Sequence, residues 1–149
     1  MIALLSIKPN FVEKIFSGLK KFEYRKTIFK KEVKRIVVYS TMPVGKIVGE
    51  FAIVDILEGS PKAIWESTKE LSGINKTFFQ EYFNGRTRGY AIKIGSKKVY
   101  KNPIDPKRMF DAFTPPQSFL YLDVALEKKL NLAKSREQAY TFDKLKASI

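Results

Sequence analysis

Apolar and polar positions alternate with two periods along this chain, and the switches between them outline a mixed α and β fold. Residues 3–8 (Ala-Leu-Leu-Ser-Ile-Lys) predict a short strand. Pro9 then opens a helix in which Phe11, Val12, Ile15 and Phe16 recur at helical spacing, and Gly18 ends it. Residues 20–26 alternate, which puts Phe22 and Tyr24 on one face of a strand and Lys21, Glu23 and Arg25 on the other. Residues 34–40 form a β-branched strand. The loop 41–45 leads into a long strand over 47–57, in which Gly49 marks a bulge or a close backbone approach. Two capped helices follow. Ser60 and Pro61 start the first, Ile64, Trp65 and Leu71 give its apolar side, and Gly73 stops it. Asn75 caps the second, with Phe78, Phe79, Tyr82 and Phe83 inward and Gly85 at its end.

Residues 89–94 and 97–100 predict two further strands, and 103–116 an irregular connection with one helical turn near 106–110. A last strand over 117–122 leads to a helix near 123–132. Beyond it the pattern weakens into a tail with spaced Tyr140, Phe142 and Leu145, read as a docked helix or a frayed terminus. About six strands and four helices in irregular order suit a compact α+β barrel better than a doubly wound parallel sheet. The 149 residues make one domain of ordinary size.

Composition then narrows the chemistry. With no Cys and no His, thiol nucleophiles, histidine bases, Ser-His-Asp triads and zinc fingers are excluded. Asp105, Asp111 and Asp123 are too scattered to argue a carboxylate metal site, so no metal and no cofactor is expected. The N-terminal MIALLSIKPN lacks the basic region and cleavage pattern of a leader, and no apolar run is long enough to span a bilayer. The expectation is a cytoplasmic, monomeric protein without membrane contact.

The net charge is +13, and the first fifty residues carry eleven basic and four acidic side chains. Within 20–35, Lys20, Lys21, Arg25, Lys26, Lys30, Lys31, Lys34 and Arg35 face only Glu23 and Glu32. A surface of this sign draws polyanions, which makes RNA or a nucleotide the leading partner class; a solvated face that serves solubility is the competing reading.

The densest chemistry lies in Gly18-Leu19-Lys20-Lys21-Phe22-Glu23-Tyr24-Arg25, of the form G-x-K-x-x-E-x-R. It resembles the signature of the ASCH domains, a branch of the PUA-like superfamily. The opening strand and helix, the Tyr39-Ser40-Thr41-Met42-Pro43 turn, the Val48-Gly49-Glu50 strand and the closing 116–122 support the resemblance. It spans residues 2–122 and leaves 123–149 as a C-terminal helix and basic tail. The resemblance implies a mixed β-barrel of five or six strands surrounded by helices, with a cleft that accepts RNA, a nucleotide or a modified nucleoside. It places Lys20 in that cleft, Glu23 and Arg25 beside it, and the turn at Ser40 and Thr41 along another wall.

The residue chemistry agrees. Lysine suits phosphate as a point charge, arginine grips phosphate or a base edge bidentately, and Tyr24 offers a stacking ring. An ordinary ion pair at a barrel rim is the plainer reading of Glu23 and Arg25. Arg86 and Arg88, with Tyr90, form a basic and aromatic run that lines the cleft or an exposed turn. Trp65 reads as a core residue.

Some relatives in that family are ribonucleases and others are amidohydrolases of an acetylated cytidine, with a Thr nucleophile three residues after the Lys. Glu23 stands at that position here. If the cleft is catalytic, Lys20 and Glu23 are its acid–base candidates. RNA or nucleotide binding, with a regulatory role in RNA metabolism or transcription, is the first expectation, a ribonuclease or modified-nucleoside amidohydrolase the second, and a protein-interaction module the third.

Overall fold

A computed structural model describes the backbone of residues 1–147 and the side chains of residues 1–135. In chain order the elements are β1 (Ile2–Ile7), α1 (Pro9–Ser17), β2 (Phe22–Arg25), β3 (Arg35–Ser40), β4 (Lys46–Gly59), α2 (Pro61–Thr68), α3 (Lys76–Tyr82), β5 (Gly89–Ile104), β6 (Phe119–Leu122) and α4 (Val124–Ala147). Short 3-10 turns cover Lys69–Leu71 and Pro106–Arg108.

The six strands form one mixed sheet in the order β2-β5-β4-β3-β1-β6, with β1 and β3 parallel and the other pairs antiparallel. Both faces of its centre are buried, which explains the near-continuous apolar runs of β1 and β3. Ala3, Leu5, Ile7, Ile36 and Val38 pack on the side where α1 contributes Val12 and Ile15. Leu4, Val37 and Tyr39 point the other way, toward Leu130 and Ala133 of α4. A third cluster joins Phe22, Tyr24 and Ala91 to Ile64 of α2 and Phe79 of α3. The alternation expected for residues 20–26 therefore holds: Phe22 and Tyr24 enter this cluster, and Glu23 and Arg25 face the α1 side.

The expected barrel is a curled sheet whose ring is not closed by a backbone ladder. Side chains from the β2 edge reach across to β1 and to the chain entering β6. The Arg25 guanidinium donates to the carbonyls of Ser6 (2.9 Å) and Ser118 (3.2 Å), and the Thr27 and Ser118 hydroxyls lie 3.0 Å apart. The Tyr121 hydroxyl accepts from the backbone N–H groups of Lys30 and Lys31 at 2.9 and 3.2 Å.

Two expectations need correction. The two strands predicted over 89–94 and 97–100 are one strand, β5, because Gly95-Ser96 is a bulge instead of a turn: Phe51 pairs with Lys97 and Ile53 with Ile94, so β4 keeps pace across the extra residue. The last helix runs from Val124 to Ala147, well past residue 132. Its Asp123 side chain accepts from the Leu126 N–H at 2.8 Å and caps the start. The Tyr140, Phe142 and Leu145 side chains lie outside the described residues. Gly49 is a close approach, as expected: a Cβ there would stand 2.5 Å from the Lys98 carbonyl and 2.7 Å from the Phe16 ring. Among the described residues no helix is long and apolar enough to cross a membrane.

Candidate functional site

The turn after α1 delivers the start of β2 under the connection between α2 and α3. Gly18 takes the left-handed conformation (φ 89°) that ends α1, and the Lys21 N–H donates to the Leu71 carbonyl at 2.9 Å. Lys20 is thereby buried, with 2% of its surface exposed. Its ammonium donates to the Ser72 carbonyl at 3.0 Å and lies over the rings of Tyr24 (4.7 Å) and Phe11 (5.4 Å). Lys14 donates to the neighbouring Gly73 carbonyl at 3.0 Å. Gly73 itself has φ +69°, and a Cβ there would meet the Lys20 side chain at 2.5 Å. Burial lowers the Lys20 pKa below its ordinary 10.5, a shift that the Glu23 charge opposes and that Lys14 and Arg25 reinforce.

Glu23 is 7% exposed. Its Oε1 lies 3.5 Å from the Arg25 guanidinium, while its Oε2 has no hydrogen-bond partner. Arg25 Nε and the Ser6 hydroxyl are also buried and unpartnered. These groups line one cavity of about 240 Å³ together with Lys20, walled by the rings of Phe11, Tyr24, Phe78 and Tyr82. Phe11 and Phe78 meet edge to face at 5.3 Å. Lys8 also lines it, over Phe78 at 5.6 Å, and Lys26 stands over the Tyr82 ring at 4.8 Å.

Tyr24 is oriented from behind. Thr68 donates to the Ile64 carbonyl at 2.7 Å, which leaves its oxygen to accept from the Tyr24 hydroxyl at 2.7 Å. Burial pushes the Tyr24 pKa up to about 12, so the ring is a neutral wall at physiological pH. Burial likewise raises the Tyr82 pKa.

The structure thus brings Lys20, Glu23, Tyr24 and Arg25 together around one space. Ser40 and Thr41 stand beyond its lining, at the end of β3: Ser40 is buried opposite Ile7, and the Thr41 N–H donates to the Ile7 carbonyl at 3.0 Å. Arg86 lines a different hollow, between α2 and α3, and Arg88 pairs with Glu58 at 3.2 Å. Thr27 stays at the seam beside Ser118 and does not line the cavity. Sequence reasoning missed Ser6, Phe11, Phe78 and Tyr82. The spacing of Phe78 and Tyr82, four apart on α3, signals a shared face, but nothing local tells a cavity wall from a core face.

A curled mixed sheet with helices around it, with Glu and Arg on a strand and a Lys in the turn before it lining a cavity beside its seam, defines a PUA-like α+β domain. The profile of the ASCH domain matches residues 5–105, and the chain belongs to that family. It is 27% identical over 132 residues to the ASCH domain-containing ribonuclease of Zymomonas mobilis, covering 86% of this chain and 88% of that one. The crystal structure of ASCH from Zymomonas mobilis superposes with a TM-score of 0.81 at 27% identity, over 87% of this chain and 92% of that one. The large ribosomal subunit protein uL22 of Ureaplasma parvum is 32% identical over 122 residues, or 80% of this chain. The chain spans only 38% of that relative's length.

Proposed function

We propose that this ASCH domain binds single-stranded RNA and takes one unstacked base into the cavity at Lys20, Glu23 and Arg25. The observation that carries the reading is the set of buried, unpartnered polar atoms, Glu23 Oε2, Arg25 Nε and the Ser6 hydroxyl, in a space walled by aromatic rings. Buried polar atoms in native proteins are almost always paired, and here an acceptor, a donor and a hydroxyl await a planar partner that carries both kinds of group. A nucleobase is such a partner, and its faces stack on tyrosine and phenylalanine. Lys8 and Lys26, over the Phe78 and Tyr82 rings, supply charge for the flanking phosphates. The name of one relative, an ASCH domain-containing ribonuclease, points the same way. A free nucleotide or modified nucleoside would use the same contacts.

A second reading, catalysis on RNA or on a modified nucleoside, draws on one observation: Lys20 has a lowered pKa and neighbours a carboxylate, a pairing suited to acid–base chemistry. The side chains beside a bound base are Lys20 and Glu23, and no threonine lines the cavity. Hydrolysis of an acylated exocyclic amine would therefore have to proceed without a threonine nucleophile.

Fluorescence anisotropy of a labelled single-stranded RNA tests the binding reading. Glu23→Gln and Lys20→Ala should each weaken binding about tenfold, a change of about 1.4 kcal/mol, and a duplex of the same sequence should bind more weakly than the single strand. Unchanged affinity in both variants, with native circular dichroism, would remove the cavity from the binding site. Lys20-dependent turnover of RNA or of an acetylated cytidine would favour the second reading.

A further inference from the structure

Helix α3, which walls the cavity, shares a second hollow with α2, of about 580 Å³. Its floor is aromatic: Phe79, Phe83 and the half-buried Trp65, whose ring rests against Phe79 with centroids 4.9 Å apart. Lys62, Lys76 and Arg86 line it as well, and none of the three makes an ion pair among the described residues. The one acid in the lining, Glu66, is ion-paired with Lys69 at 2.9 Å, and its charge also acts on Lys76 and Lys62. An aromatic floor with three cations against one acid that Lys69 already pairs is the composition that holds a stacked base together with phosphate.

The hollow and the cavity share α3 as a wall. Phe78 and Tyr82 line the cavity, whereas Phe79 and Phe83 line the hollow. Arg86 stands at the crossing: it lines the hollow, and its charge also acts on the Tyr82 phenol. A chain of phosphates leaving the cavity past Lys26 and Tyr82 therefore meets Arg86 next.

We propose that this hollow is a second nucleotide subsite, in which a base of single-stranded RNA stacks on Trp65 while Lys62, Lys76 and Arg86 hold its phosphates. The path from one subsite to the other rests on the reading of the cavity as a base site. The stacking on Trp65 does not. An acidic protein segment would satisfy the three cations but would leave the aromatic floor without a planar partner.

Trp65 is the sole tryptophan, so its emission reports the hollow directly. The full chain is titrated with a single-stranded adenylate oligomer of about ten nucleotides, long enough to cover more than one subsite. Trp65 emission should be strongly quenched at saturation. Replacing Lys62, Lys76 and Arg86 together by Ala should weaken binding about tenfold and flatten the plot of log affinity against log salt by about 2, the slope expected for three phosphates on a single strand. Trp65→Phe, which keeps a ring against Phe79, should weaken binding about threefold by anisotropy of labelled RNA.

The failures are separable. If RNA binds and responds to Glu23→Gln, while Trp65 emission and the triple variant are unaffected, the hollow is overturned and the cavity stands. If quenching and the triple-variant loss persist while Glu23→Gln binds as wild type, the hollow stands and the cavity falls. Quenching by polyglutamate as strong as that by RNA, or no binding of RNA, overturns the nucleotide subsite.

Discussion

Glu23 and Glu50 are equally buried carboxylates, each 7% exposed, in opposite circumstances. Glu50 on β4 is bracketed by cations: Lys134 of α4 donates to Oε1 at 3.0 Å, and Arg35 lies 3.8 Å from Oε2. Beside it the Tyr100 phenol is held neutral, first by burial and then by the Glu50 charge. Glu23 has one cation at 3.5 Å on one oxygen and no hydrogen-bond partner on the other. The same residue type at the same depth therefore fastens a helix to the sheet in one place and lines a cavity in the other. Neither burial nor the second oxygen distinguishes the two, since Oε2 lacks a hydrogen-bond partner in both; the cations do, with one on each oxygen of Glu50 and one on a single oxygen of Glu23.

The comparison breaks most visibly at Glu50. Glu50→Ala should cost about 2 kcal/mol in urea unfolding, since it strands Lys134 near Tyr100, and should leave RNA affinity at the wild-type value in the folded protein. Glu23→Gln, tested above for binding, should leave stability within about 0.5 kcal/mol. If Glu23→Gln proves the more destabilising, Glu23 is a structural tie like Glu50 and the contrast fails.

Arg25 belongs to both circumstances, because it stitches the seam and lines the cavity. Arg25→Lys keeps the charge but cannot reach the Ser6 and Ser118 carbonyls with two arms, and should lower stability by about 1 kcal/mol. Thermal unfolding with and without RNA would read the two roles together: a variant as stable as wild type would mean that the seam holds without Arg25.

The smallest effect sharpens the contrast through pH. Burial depresses the Lys20 pKa, so the unfolded chain holds that proton more tightly than the folded one. Stability at this position rises as pH passes the lowered value, and the gain is complete above 10.5, the ordinary value. Lys20→Met has no such proton. The unfolding free energy of wild type minus that of Lys20→Met should therefore increase between about pH 7 and about pH 11. A flat difference would show that the lysine is solvated.

Much of this arrangement is legible in residues 18–25. Period-two alternation assigns Phe22 and Tyr24 to one side and Glu23 and Arg25 to the other, as the sheet shows, because alternation is a property of the strand itself. The burial of Lys20 is not legible. It depends on the Ser72 carbonyl, 52 residues away in sequence, and a lysine among lysines reads as solvated. Phe78 and Tyr82 read as core for the same reason: helical spacing groups them without saying what lies opposite. Gly95-Ser96 reads as a turn because small polar residues usually punctuate strands, and only the pairing with β4 turns it into a bulge.

Gly73 ties these distances to a design limit. Its missing Cβ leaves room for the Lys20 stem, and its carbonyl receives Lys14, so one residue in the connection between two helices sets the depth of a lysine in a turn distant in sequence. An engineer who wants to retune the cavity without touching its lining would work there: even alanine would push against the Lys20 stem and oppose the left-handed backbone at once. The shape of the cavity is thereby adjustable from a residue outside its lining.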